Sequence, residues 1–233
     1  MRKSLFLTAV AMLFSMLLSA QGLETLDVSN EPDGKLSKRM NGMMFEGVVR
    51  NGLKEGTWYE IDAKNLVRKV VQYKEGKKNG VFMVIDETGA LTSKCEYLDD
   101  QLDGDAFTWF RGGRLSNKKC YKNGLLDGEQ IECYEQGGDR EIAYYKDGLR
   151  EGTTTWYGQD GCKVMSIEYH DGQFNGIQET YYKTGVVMSS KTYRNNVQDG
   201  PMSEYYEDGS LKTQCNYKNG KINGQVKKYN PKH

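Results

Sequence analysis

The sequence predicts an all-β protein, an elongated single-sheet array of 24-residue antiparallel β-hairpin repeats. Three observations carry this prediction. One glycine recurs every 24 residues, one tyrosine recurs at the same interval, and each interval holds two turn signals. Composition agrees. The 233 residues include 27 Gly and 16 Tyr but only 3 Pro, and 37% are hydrophobic. That balance suits many tight turns and a thin core rather than a thick two-layer domain.

In chain order, residues 1–20 read as a signal peptide. Arg2 and Lys3 form a basic start, and Ser4 to Leu18 is an apolar stretch too short for a comfortable transmembrane span. Leu18-Ser19-Ala20 before Gln21 offers a small-residue cleavage site. The expected location is secreted or periplasmic, with no transmembrane segment after cleavage and no cysteine at the cut to carry a lipid. Residues 21–48 keep the repeat pattern poorly and are expected to form a lead-in or cap. Residues 49–233 form the array, about seven and a half repeats.

The anchor glycines are Gly56, Gly80, Gly104, Gly128, Gly152, Gly176, Gly200 and Gly224. The opening tyrosines are Tyr73, Tyr97, Tyr121, Tyr145, Tyr169, Tyr193 and Tyr217, with Val49 in the same place ahead of the first unit. Two residues after each tyrosine comes a pair such as Asn123-Gly124 or Asp147-Gly148. Such pairs favour two-residue hairpin turns, in which both positions need positive φ. Asp100 and Asn196 replace the glycine twice, and these residue types tolerate that region. A second turn falls nine residues after the anchor, at Gly89, Gly113, Gly137, Gly161, Gly185 and Gly209, with Asn65 in the first unit.

Two turns per unit leave two strands of about six residues, rich in Tyr, Val, Ile, Thr and Phe. Successive hairpins should continue one antiparallel ladder of about 15 strands, about 70 Å long at roughly 4.8 Å per strand. Centred on its turn, each hairpin sets an opening tyrosine opposite an anchor glycine. A ring lying over bare backbone would then explain both columns. Five residues after the anchor lie Ile61, Ile85, Trp109, Cys133, Tyr157, Tyr181, Tyr205 and Tyr229. This column shares number parity with the opening tyrosines and is expected on their side of the sheet if no bulge intervenes. At the end, Lys227, Lys228 and Pro231 discourage further strand addition.

These columns resemble the MORN-repeat variant family, in which Tyr-x-[Asn/Asp]-Gly-x-x-[Asp/Asn/Glu]-Gly units recur every two dozen residues. The resemblance runs from about Val49 to Tyr229. It is carried by units such as Tyr121-Lys122-Asn123-Gly124 with Asp127-Gly128 and Tyr217-Lys218-Asn219-Gly220 with Asn223-Gly224. It implies a binding or scaffolding role without catalysis. Related bacterial proteins are often labelled antitoxin components, a role at odds with export from the cytoplasm. Eukaryotic MORN repeats are associated with membranes and phospholipids, which no column here requires.

The residues hold no constellation that reads as an active site, so no enzyme activity and no cofactor is expected. Of two histidines, His233 ends the chain and His170 stands in a turn-flanking column otherwise held mainly by Lys and Arg. Neither has an evident set of metal ligands. The residues before the anchor glycines, Glu55, Asn79, Asp103, Asp127, Glu151, Asn175, Asp199 and Asn223, form an oxygen ladder. Their expected spacing of about 9–10 Å is far too wide for a calcium shell of oxygens within about 2.6 Å. A turn role is expected instead. Cys95, Cys120, Cys133, Cys162 and Cys215 fall on different strands or faces in this frame, which argues against intrachain disulfides.

Without Arg2 and Lys3, the 32 basic and 32 acidic residues become 30 and 32, a net charge of −2. Nucleic acid, which normally needs a basic face, is not an expected partner. The leading expectation is a protein-interaction scaffold of the cell envelope, antitoxin- or immunity-like in its role. The alternative is a carbohydrate- or envelope-binding module that stacks ligands on Trp109, Tyr157, Tyr181, Tyr205 and Tyr229.

Overall fold

A computed structural model describes residues 22–231. The proposed signal peptide and His233 lie outside the described residues. The chain divides into two units, with the boundary between Lys77 and Lys78. Both are built of antiparallel strands joined by turns, and the described residues contain no α-helix. The expected all-β hairpin array is the fold observed.

In the first unit, the hairpin Gly34–Met40 and Met43–Arg50 turns at Asn41-Gly42, with φ of 53° and 80°. The next strands, Leu53–Ile61 and Val67–Lys74, continue the ladder. Trp58, Phe45, Val49 and Val71 are buried on it, and the short 3-10 turn Leu23–Thr25 adds buried Leu23. This segment is held by charge as well as by burial. The Leu23 amide donates to the Glu60 carboxylate at 3.1 Å, and the Lys54 ammonium donates to the Leu23 carbonyl. Gly47 lies beneath the Trp58 indole. A Cβ there would come within 2.1 Å of the ring.

In the second unit, strands such as Gln173–Tyr181, Val187–Arg194, Val197–Tyr205 and Leu211–Lys218 pair in sequence order. They run eight or nine residues where about six were expected. The reason is that residues between the tight turn and the anchor glycine stay paired, as in Tyr169↔Phe174 and His170↔Gln173. Elsewhere the same stretch breaks into a two-residue and a six-residue piece, such as Gln101–Leu102 and Gly104–Trp109.

Each tight turn has the positive φ pair that its residues predict. Asn123-Gly124 lies at 49° and 78°, and the substituted pairs Asp99-Asp100 and Asn195-Asn196 lie at 48° and 68° and at 47° and 67°. The substitutions add a bond. Asp100 and Asn196 accept, through side-chain oxygens, the amides of Lys78 and Phe174, each at 2.8 Å. The wider turns also match. Gly89 (φ 85°) donates its amide to Asp86, whose own amide donates to Ala90, the bonding of a type I turn followed by a left-handed residue.

The predicted pairing of opening tyrosine with anchor glycine holds: Gly56↔Tyr73 in the first unit, and Gly104↔Tyr121, Gly152↔Tyr169 and Gly200↔Tyr217 in the second. The expected reason for the glycine does not. A Cβ at Gly152 would meet Tyr144, and one at Gly200 would meet Thr192, rather than the paired tyrosine. What the column requires is conformation. Every anchor glycine has positive φ, from 68° at Gly56 to 135° at Gly176. The strand bulges there. Between the pairs Tyr169↔Phe174 and Ile167↔Gln178, the segment 175–177 faces Glu168 alone, and Val48↔Glu55 with Glu46↔Tyr59 shows the same irregularity at Gly56.

Candidate interaction surface

Pairs in each hairpin join residues of opposite number parity, as Gly152↔Tyr169 and Thr154↔Ile167 do. Tyr157 and Tyr169, both odd, therefore lie on opposite faces. The expectation that both aromatic columns share one side is overturned. The bulge between Trp156 and Tyr157 shifts only the pair at the hairpin tip.

The opening tyrosines share their face with the residues two before each anchor. In the second unit this makes a row of rings and cations. Phe174 meets Tyr169 and Tyr193 edge-on, with centroids 5.1 and 5.9 Å apart. The Arg150 guanidinium lies 5.3 Å from the Tyr169 ring, 5.4 Å from Tyr145 and 5.8 Å from Trp156. It also donates to Glu141 and, at 2.9 Å, to the Thr154 hydroxyl. Burial raises the Tyr145 and Tyr169 hydroxyls above their ordinary range, and pushes Tyr121 up to about 12. This face is a packed seam in which Arg150 is paired with Glu141.

On the other face, the five candidate ligand-stacking residues are placed differently from one another. Trp109 stacks on Phe107 at 5.9 Å and is half-buried. The Tyr181 hydroxyl bonds Ser166 and Glu179, and the Lys163 ammonium lies 5.1 Å from its ring. Tyr157 and Tyr205 are half-buried, and Tyr229 is exposed. Tyr205 lines a cleft of about 220 Å³ with Tyr182, Lys191 and Lys212.

Sequence reasoning missed the column one residue further on. The Tyr134 hydroxyl donates to the Tyr157 carbonyl at 2.7 Å, Tyr182 to Tyr205 at 2.9 Å, and Tyr206 to Tyr229 at 3.0 Å. Each ring thus ties one hairpin tip to the next, 23 residues on. In the first two repeats the position is aspartate, and Asp62 and Asp86 instead cap their own turns. The signal was present as Phe110, Tyr134, Gly158, Tyr182 and Tyr206, spaced by 24.

The five carboxylates of the oxygen ladder take the turn role expected of it. Carboxylates of Glu55, Asp103, Asp127, Glu151 and Asp199 each accept the amide of the first residue of the following tight turn, at 2.9 to 3.3 Å. His170 joins one of these caps. Its Nδ1 is 2.9 Å from Glu151, and its Nε2 is 3.6 Å from Asp171. These three side chains are near enough to share a metal ion. One Glu151 oxygen is already committed to the Asp171 amide and the other to the His170 ring.

All five cysteines are free thiols. Burial pushes Cys95 up to about 11, and burial with the neighbouring Asp105 carboxylate does the same to Cys120. Neither is poised as a nucleophile.

A family model described as the MORN repeat variant matches residues 174–195 and 198–219. These two segments are MORN-variant repeats. The two matched segments share their turn, bulge and Gly↔Tyr pairing with the MORN-like hairpins that precede them, as at Gly104↔Tyr121 and Gly128↔Tyr145. No curated protein matches the chain. Among the described residues, no helix is long and apolar enough to cross a membrane.

Proposed function

We propose that this MORN-variant repeat protein is an exported, non-catalytic scaffold that binds a protein partner in the cell envelope, in the manner of an immunity protein. One observation carries the reading. The periodic polar groups are spent within the ladder, since carboxylates cap turns and tyrosine hydroxyls tie hairpin tips. What remains outward includes apolar side chains beside the tight turns, among them Leu125, Leu149 and Val197 of one 24-residue column. Leu98, Leu125, Leu149 and Val197 stand 44 to 50% exposed along the tight-turn edge of the second unit. Repeat arrays use such long shallow surfaces for macromolecular contacts. Export rests on residues 1–20 alone.

A second reading is carbohydrate binding, favoured by the half-exposed rings of Trp109, Tyr157, Tyr181 and Tyr205. Crosslinking pull-down from the envelope fraction separates the two. A specific protein, lost when Leu125 and Leu149 are both changed to Ser, supports the scaffold. Glycan-array binding that survives those changes and is lost with Tyr181→Ala supports the alternative.

A further inference from the structure

From residue 110 to residue 206, the ring column that ties hairpin tips together has one gap. Phe110, Tyr134, Tyr182 and Tyr206 hold a ring, whereas residue 158 is glycine. Where the ring would lie, a cleft of about 320 Å³ opens between the hairpin tip at Gly158–Lys163 and the strand end at Tyr181–Lys183. Its walls include Tyr181 and Tyr182. At its rim Lys183 lies 3.7 Å from Asp160, and Lys163 covers the Tyr181 ring at 5.1 Å. Two lysines to one aspartate leave the rim positive.

The neighbouring units are templates for the occupant. Tyr134 and Tyr182 each place a phenol ring against the next hairpin and donate the hydroxyl to the carbonyl 23 residues on. The same geometry at residue 158 points a phenol hydroxyl at the Tyr181 carbonyl. We propose that the cleft at Gly158 is a receptor for a tyrosine side chain of a protein partner, which takes the position of the missing ring. The positive rim favours a tyrosine with an acidic neighbour. This deepens the scaffold reading and rests on it for the nature of the partner.

The glycine is not demanded by its backbone, because Gly158 lacks the positive φ of the turn and anchor glycines. A Cβ there would approach the Asp160 Oδ1 at 2.7 Å. Tyr206 with Asp208 shows that tyrosine and aspartate coexist at this spacing, with Asp208 capping Ser210. Gly158→Tyr should therefore fill the cleft from within.

The test is amide NMR of the full chain with p-cresol, toluene and methyl β-glucoside as probes. p-Cresol should shift the Gly158, Cys162 and Tyr182 amides saturably, with toluene at least tenfold weaker for want of the hydroxyl. Gly158→Tyr should abolish the shifts and raise Tm by about 2–4 °C, the effect of one added bond in a chain of this size. If that variant fails to fold, Gly158→Phe, which supplies the ring that Phe110 has at the same place in its own unit, fills the cleft and should block p-cresol equally. Absence of saturable p-cresol shifts, or their persistence in the filled variant, overturns the proposal. Stronger binding of the glucoside overturns it in favour of a sugar site. A protein partner recovered equally by wild type and Gly158→Tyr sinks this site and leaves the scaffold reading standing. Saturable p-cresol binding with no protein partner keeps the phenol site and removes that reading.

Discussion

Gly152 sits at φ 79°, and a Cβ added there would make only ordinary van der Waals contact, with Tyr144 at 4.0 Å. Conformation alone therefore sets the cost of replacing it. Gly152→Val should lower stability by about 1–3 kcal/mol, the range for a non-glycine residue held in the left-handed region. Urea denaturation checks this, and an unchanged midpoint would sink the bulge explanation. Gly47 is the contrasting case, because there the Trp58 ring occupies the Cβ position. At His170, the Glu151 carboxylate raises the imidazole above its ordinary 6.5. Glu151 is itself lowered below 4.5, first by the Asp171 amide and then by His170. The His170 contribution to stability is complete below pH 6.5 and is lost as pH rises through the raised value. The Glu151 contribution is present above pH 4.5 and is lost as pH falls through the lowered value. An NMR titration should place His170 above 6.5, and Glu151→Gln should return it toward that value.

At the scale of the hairpin, two kinds of bond join one unit to the next, and neither is a ladder bond. Carboxylates reach 20 residues forward to a turn amide, and tyrosine hydroxyls reach 23 residues forward to a carbonyl. A lone hairpin is marginal, so such ties matter more here than in a thick core. Tyr182→Phe removes one hydroxyl and keeps the ring. It should cost about 1 kcal/mol, read as a lower denaturation midpoint. Phe110 shows that the ring is accommodated without the hydroxyl. The tight turns, the wider turns and the Gly↔Tyr pairing were legible in the sequence, because each is decided by residues close along the chain. The face of the Tyr157 column follows from that pairing, because Tyr157 stands an odd number of residues after Gly152, which pairs with Tyr169; number parity along the chain was the wrong guide to it.

Across the second unit the hairpins repeat in register, so each contributes its own strands and one junction. Deleting residues 177–200 removes one 24-residue period and rejoins Gly176 to the residue that follows Gly200. The shortened protein should keep its β-sheet circular dichroism and unfold with a smaller denaturant slope, since less surface is buried. Deleting one residue fewer would invert the faces of every following strand, and a well-folded product of that deletion would refute the shared register.

The period, the hairpin unit, both turns, the opposition of tyrosine to glycine and the resemblance to MORN-variant repeats can all be read from the chain without coordinates. They follow from residues that demand a backbone conformation wherever they stand. Folding in three dimensions settles the rest, beginning with the anchor glycines, which serve a bulge rather than a ring. It also settles where each carboxylate and hydroxyl finds its partner in the next unit, and that Gly158 leaves a cleft. Those outcomes depend on cross-strand register and on side chains some twenty residues apart, which meet only once the ladder has formed.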